Sequence, residues 1–344
     1  MAYTTIKKPS DYFNTKLYTG TGSATSITGV GFQPDWVWIK KRNGTTSHTV
    51  TDSVRGVNKQ LFTNEVEAEE SYTSVLTAFD SDGFSLSTAG LINASSATYA
   101  SWNWKAGTSF TNDASSTGIG SIDSAGSFNN DSGFSIVSYT GTGSAGTIKH
   151  GLSTAPKMII QKNRDETQPW WTYVESIGAG GQLRLNATNA AGSDGATLWN
   201  STAPTSSVFS VGDNTGTNGS ADKCIAYCFA EKQGYSKFGS YTGNGSADGT
   251  FIYTGFKPAW IMIKRTDGAA NWELYDSKRL GYNSSNPPLY PDLGNAEGDN
   301  GRVDILSNGF KIRAQSGNLG ASGGSYIYMA FAEEPLVGDN PATA

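Results

Sequence analysis

The chain repeats itself, and the repeat limits what it can fold into. Tyr18-Thr-Gly-Thr-Gly-Ser-Ala24 returns as Tyr139-Thr-Gly-Thr-Gly-Ser-Ala145 and as Tyr241-Thr-Gly-Asn-Gly-Ser-Ala247. Each copy leads to a proline (Pro34, Pro156, Pro258) and then to an apolar run that reaches a lysine at Lys40, Lys162 and Lys264. The tyrosines lie 121 and then 102 residues apart. Units of this length are too long for solenoid turns and long enough to bury a modest core each, so beads on a chain are expected.

Within a unit the periodicity is that of strands. Trp36, Trp38 and Lys40 alternate with Val37, Ile39 and Lys41. Turn signals such as Asn43-Gly44 and Asp82-Gly83 recur, and helical spacing is never sustained. The closing segments superpose, with Trp102, Tyr227 and Met329 in one register position and Trp104, Phe229 and Phe331 two residues on. Their opposite face is mixed. A strand with one bulky face and one half-buried face belongs in a sheet packed on another sheet.

The expected fold class is therefore all-β, with three tandem jelly-roll-like β-sandwich units of about 100 residues each. The boundaries drawn are an exposed N-terminal arm at 1–10, units at 11–107, 132–232 and 233–335, and a polar tail at 336–344. Residues 108–131, rich in Ser, Thr, Gly, Asn and Asp, read as a linker or long surface loop.

Charge narrows the function classes. The chain has 30 acidic and 25 basic side chains, a net charge of −5, and no basic stripe, which argues against a nucleic-acid partner. The first ten residues have no apolar core and no apolar run reaches membrane-spanning length. Synthesis in a cytoplasm without membrane insertion is expected. Cys224 and Cys228 share a strand-like segment, where their Cα atoms stand about 13 Å apart, beyond disulfide reach. They read as free buried thiols. His48 and His150 show no ligand spacing, so no metal or cofactor is assigned.

Several groups merit weighing as chemistry. In a strand, Glu65, Glu67 and Glu69 share one face, the arrangement of a glycosidase carboxylate pair. The matching stretches of the other copies lack the triplet, and no bulky apolar flank is present to desolvate a proton donor. The run reads as a solvated acidic loop, and no catalytic residue is assigned. Asp80-Ser-Asp-Gly83 reads as a turn rather than a calcium loop. The Gly-rich copies lack the Gly-Lys-Ser and the helix of a phosphate cradle. Lys40, Lys162 and Lys264 are assigned to edge protection or to ion pairs with Asp52, Glu175 and Asp276. Aromatics carry the binding argument. Trp170, Trp171, Trp199 and Trp272 are the candidates for a sugar-stacking surface, and Trp36, Trp102, Trp104 and Trp260 are assigned to cores.

Gln33-Pro-Asp-Trp-Val-Trp-Ile-Lys, Asp52-Ser-Val-Arg-Gly, Phe79-Asp-Ser-Asp-Gly-Phe, Trp102-Asn-Trp-Lys-Ala-Gly and Phe229-Ala-Glu-Lys-Gln-Gly together resemble a repeat of virion proteins from tailed phages of marine bacteria, cyanophages included. The resemblance spans about residues 11–335. It implies concanavalin-A-like sandwiches in a tail-fibre or other structural protein located in the virion. It implies other virion proteins and host surface polysaccharide as partners, and a homo-oligomer, by default a trimer. It supplies no functional residues. A capsid decoration or head-fibre protein is the alternative, and a polysaccharide depolymerase the second alternative.

Overall fold

The computed structural model describes residues 4–279, 283, 286–298, 301–315 and 317–335. The polar tail at 336–344 and the first three residues of the arm lie outside them. The fold is all-β, built from antiparallel sheets, and its helices among the described residues are single turns.

Each third contributes one large sheet with a common strand order. In the first, the opening strand Phe13–Thr19 pairs with the closing strand Thr98–Trp104, which pairs with Trp36–Lys41, then Thr49–Asp52. The second repeats this with Phe134–Thr140, Lys223–Phe229, Met158–Asn163 and Trp171–Val174. The third uses Ser236–Thr242, Ser325–Pro335, Phe256–Arg265 and Glu273–Asp276. A smaller sheet covers one face of each: Thr25–Thr28 with Gly83–Leu86 and Leu76–Asp80, then Gly146–Lys149 with Val208–Val211, then Phe251–Tyr253 with Gly309–Ile312 and Val303–Leu306. Between large and small sheet lies a private apolar cluster, centred on Val37, Ile39 and Phe84 in the first third. Ile159 with Phe209, and Ile261 with Phe310, occupy the same place in the others.

The thirds are not beads. The second face of every large sheet enters one shared cluster that contains Trp36, Trp38, Trp102 and Trp104 with Ile136, Tyr227, Trp260 and Met329. Trp104, Phe229 and Phe331, equivalent in the three closing strands, touch one another at ring-centroid distances of 6.5, 5.6 and 6.0 Å. A pseudo-threefold axis therefore runs between these rings. The alternating pattern revealed one bulky and one half-buried face per strand, but a strand carries no label for which partner covers each face.

Two boundary readings change. Residues 108–131 are not a linker: Thr108–Asn112 and Ser124–Asn129 pair with each other and extend the second large sheet beyond Phe134–Thr140. Ladder hydrogen bonds come from the backbone, so a Ser/Thr-rich segment can supply them, and Phe110 and Phe128 anchor it edge to face at 5.9 Å. The arm is only partly exposed over its described residues: Thr5, Lys7 and Lys8 are exposed, but Ile6 is buried in the shared cluster and Pro9 is also buried.

The Gly-rich copies explain themselves. A Cβ at Gly20, Gly141 or Gly243 would stand 2.2, 2.2 or 2.3 Å from a carbonyl oxygen, of Ala94, Gly219 and Ala321. Gly22, Gly143 and Gly245 have φ near +70°. Their amides bond the same neighbouring loop in each third, to Asn93, Asn218 and Gly320 carbonyls. A phosphate would find these donors taken.

Candidate functional site

Three seams join the thirds, and all three use one backbone plan. The amides of Glu69, Glu297 and Ala191 reach across to the carbonyls of Arg164, Arg42 and Thr266 at 2.7, 2.8 and 2.8 Å. Gln168, Thr46 and Ala270 return the bond to Val66, Gly294 and Thr188, each at 2.9 Å. Trp170 Nε1 donates to the Phe62 carbonyl at 2.8 Å and Trp272 Nε1 to that of Arg184 at 2.9 Å. The third member of that set is His48, whose Nδ1 accepts from Trp38 Nε1 and whose ring stands against the Tyr290 backbone. Burial holds His48 well below its ordinary pKa, so it is neutral.

Side chains distinguish the seams. Trp36, Met158 and Trp260 lie opposite Asp52, Val174 and Asp276 in the sheet register, which makes those three equivalent. At the first–second seam Asp52 pairs with Arg55, Arg55 Nη1 with Glu69 at 3.1 Å, and Glu69 with Arg164 at 2.8 Å. Tyr227 of the second third donates its hydroxyl to Asp52 at 2.7 Å. At the third–first seam Asp276 pairs with Arg279 at 2.6 Å, Arg279 with Glu297 at 3.2 Å, and Glu297 with Arg42 at 2.8 Å. Trp102 Nε1 takes the Tyr227 role toward Asp276 at 2.9 Å. Burial opposes charge on Glu69, but the guanidinium groups of Arg164 and Arg55 outweigh it and hold the carboxyl below its usual range.

The second–third seam has none of this. Val174 replaces the aspartate, Ile177 the first arginine, Ala191 the glutamate, Thr266 the second arginine and Met329 the donor. Both halves of each contact changed together, so no buried charge is left alone. A cleft of about 520 Å³ remains there, lined among others by Ser176, Ile177, Ala191, Ser240, Thr266 and Ser325.

Most sequence candidates prove structural. Trp170, Trp171, Trp199 and Trp272 are all buried, at most 5% exposed, so none offers a ring face to a sugar. Their indoles serve as seam donors or core, with Trp199 Nε1 on the Gly181 carbonyl at 3.1 Å. Trp36, Trp102, Trp104 and Trp260 are core, as expected. Glu65, Glu67 and Glu69 do not share a strand face. Glu65 bonds Ser47, Glu67 accepts from the Val66 amide, and Glu69 is the seam clamp rather than part of a solvated loop.

The lysines protect no edge, and among the described residues they pair with no acid. Lys40, Lys162 and Lys264 are buried, with ammonium groups on carbonyls such as Lys41, Asn163 and Ala270. Burial lowers each to about 8. Glu175 proves equivalent to Ser53, one residue past the Asp52 position, and pairs with Lys157 at the surface. Asp82 caps the Gly29 and Gly31 amides at 2.9 and 2.7 Å, the work of a turn. Cys224 and Cys228 are free and buried, and burial pushes both thiols up, Cys224 to about 12. His150 accepts from Leu152 N and faces the Thr205 carbonyl, and burial takes it down to about 4.

Among the described residues, three exposed aromatics escaped the sequence reading, Tyr72 alone and two that stand together. Phe251 and Tyr253 are 43% and 54% exposed, side by side on the outer face of the third small sheet. Ile27, Ile148 and Ile252 pair alike across their small sheets, so the equivalent outward positions are Ser26 and Thr28, then Thr147 and Lys149. Aligning the copies on the isoleucines would have exposed the difference.

Among the described residues, no helix is long and apolar enough to cross a membrane, and no group of three or more His, Cys, Asp or Glu is placed to hold a metal. No curated protein and no solved structure matches the chain. A family model described as a domain of unknown function (DUF7483) matches residues 8–335, across all three thirds, and the chain belongs to that family.

Proposed function

We propose that the chain is a non-enzymatic structural protein of a tailed-phage particle, an appendage component that contacts host surface glycans. Each third is read as a β-sandwich of jelly-roll, concanavalin-A-like type. The observation that carries the structural reading is the shared core: side chains that could do chemistry are spent holding three thirds together as one block. With the inner faces consumed, partners meet the outer sheets and loops. Other virion proteins and further copies of the chain, as a homotrimer, are the assembly partners of this reading. Phe251 and Tyr253 supply a stacking surface for sugar rings, and repeated copies turn weak contacts into avidity.

Gold-labelled antibody on intact virions tests the location. Label at the tail is expected; label on the head transfers the reading to a decoration or head-fibre protein, and unlabelled particles overturn it. New reducing ends from host envelope polysaccharide incubated with the protein would establish a depolymerase instead. On a glycan array, Phe251→Ala/Tyr253→Ala is expected to weaken the signals that the unaltered chain gives.

A further inference from the structure

The backbone bridge at the second–third seam is as short as its two counterparts, although the side chains beneath it are smaller. The thirds therefore keep their spacing, and the volume that arginine and glutamate fill elsewhere stays open as the cleft of about 520 Å³. That size lies within the roughly 300–1,000 Å³ range of small-ligand sites.

Its walls define a ligand chemistry. Half-buried Ile177 and Ala191, with buried Ile327, make an apolar floor. The rim carries the exposed residues Ser176, Ser240, Thr242 and Ser325, whose hydroxyls no hydrogen bond within the described residues claims. Tyr241 and Tyr326 contribute backbone to this lining, because their stacked rings, with centroids 4.8 Å apart, turn to the other face of the sheet into the third's own core and donate their hydroxyls to the Leu319 and Gly317 carbonyls. Asp267 is the charged lining residue, and Arg265 holds its carboxylate at 2.7 Å. An ionic ligand would lose hydration without gaining a free counter-charge. A hydroxyl both donates and accepts, so a rim of serine and threonine suits a ligand that is itself hydroxylated.

We propose that this cleft binds a neutral saccharide, one pyranose ring lying with its C–H face on Ile177, Ala191 and Ile327 and its hydroxyls on the serine rim. For the ligand class this rests on the glycan-contact reading above, but it places a site apart from Phe251 and Tyr253.

The test is saturation-transfer NMR with cellobiose, maltose and lactose at millimolar concentration. Transfer to at least one disaccharide is expected. Ala191→Glu/Thr266→Arg installs the pair found at the other two seams and is expected to weaken binding at least tenfold. Ser240→Ala/Ser325→Ala, which changes little volume, is expected to weaken it several-fold with an unchanged melting temperature. All of these are read in a Phe251→Ala/Tyr253→Ala background, so that the transfer measured comes from the cleft alone. Absence of transfer from all three sugars, or transfer unaffected by both cleft variants, overturns the proposal. Tail labelling without cleft binding would remove the cleft and keep the phage reading; cleft binding without virion labelling would do the reverse.

Discussion

The charged seams and the neutral seam hold equivalent strands at the same separation by different means. At the first–second and third–first seams an acid–arginine–acid–arginine chain is buried with an aromatic donor from the neighbouring third. At the second–third seam Val174, Ile177, Ala191, Thr266 and Met329 take those places. Since the backbone bridges match, the charges are not needed to bring thirds together. Replacing a buried ion pair by packed apolar groups is often close to neutral, whereas removing one partner is costly. The comparison predicts that the charged chains choose which edge meets which, and that the neutral seam is free to hold a cleft.

The largest expected effect comes from breaking a charged seam halfway. Arg55→Ile alone leaves Asp52 and Glu69 short of their buried partner and should cost about 3–5 kcal/mol in urea unfolding. Adding Asp52→Val and Tyr227→Met neutralises the inner half of the seam, leaves Glu69 paired with Arg164, and should recover most of the loss. If the triple variant is no better than Arg55→Ile, the seams are not interchangeable designs. The reverse experiment is Val174→Asp, a lone buried acid, with an expected loss of about 3 kcal/mol, partly restored by Ile177→Arg.

Asp292 sharpens the comparison by pH. It occupies the position of Asn64 and Asn186, all three accepting the equivalent amides of Trp272, His48 and Trp170. Its other oxygen is buried without a partner among the described residues, and burial raises the carboxyl to about 7. A raised acid favours the folded state fully below its unfolded pKa, and that contribution is lost as pH rises through the folded value. Asp292→Asn should therefore leave stability unchanged near pH 3.5 and raise it above pH 7 by at most about 4 kcal/mol. A melting temperature that shifts equally at both pH values would contradict this. The smallest effect is expected from Glu65→Gln and Glu67→Gln, within about 0.5 kcal/mol. Glu69→Gln, from the same acidic run, should cost about 1.5–3 kcal/mol because both arginines lose a charged acceptor.

The opening, lysine-ended and closing strands of each unit, and the core places of Trp36, Trp102, Trp104 and Trp260, were legible in the sequence, because each leaves a local period of two and a repeated spacing. The shared core was hidden because Trp104, Phe229 and Phe331 read as core under any packing. The clamps were hidden because Glu69 lies 95 residues from Arg164, and Arg42 lies 255 from Glu297. Aligning acids rather than strand partners put Glu175 in the place that Val174 holds. Composition misread 108–131, since serine and threonine suit a loop and an edge strand alike.

The central claim is that three repeats make one cooperative body around the axis at Trp104, Phe229 and Phe331. Scanning calorimetry of the intact chain tests it most directly. One endotherm whose calorimetric and van't Hoff enthalpies agree is the predicted result. Three resolved transitions, each with the enthalpy of about a hundred residues, would contradict it.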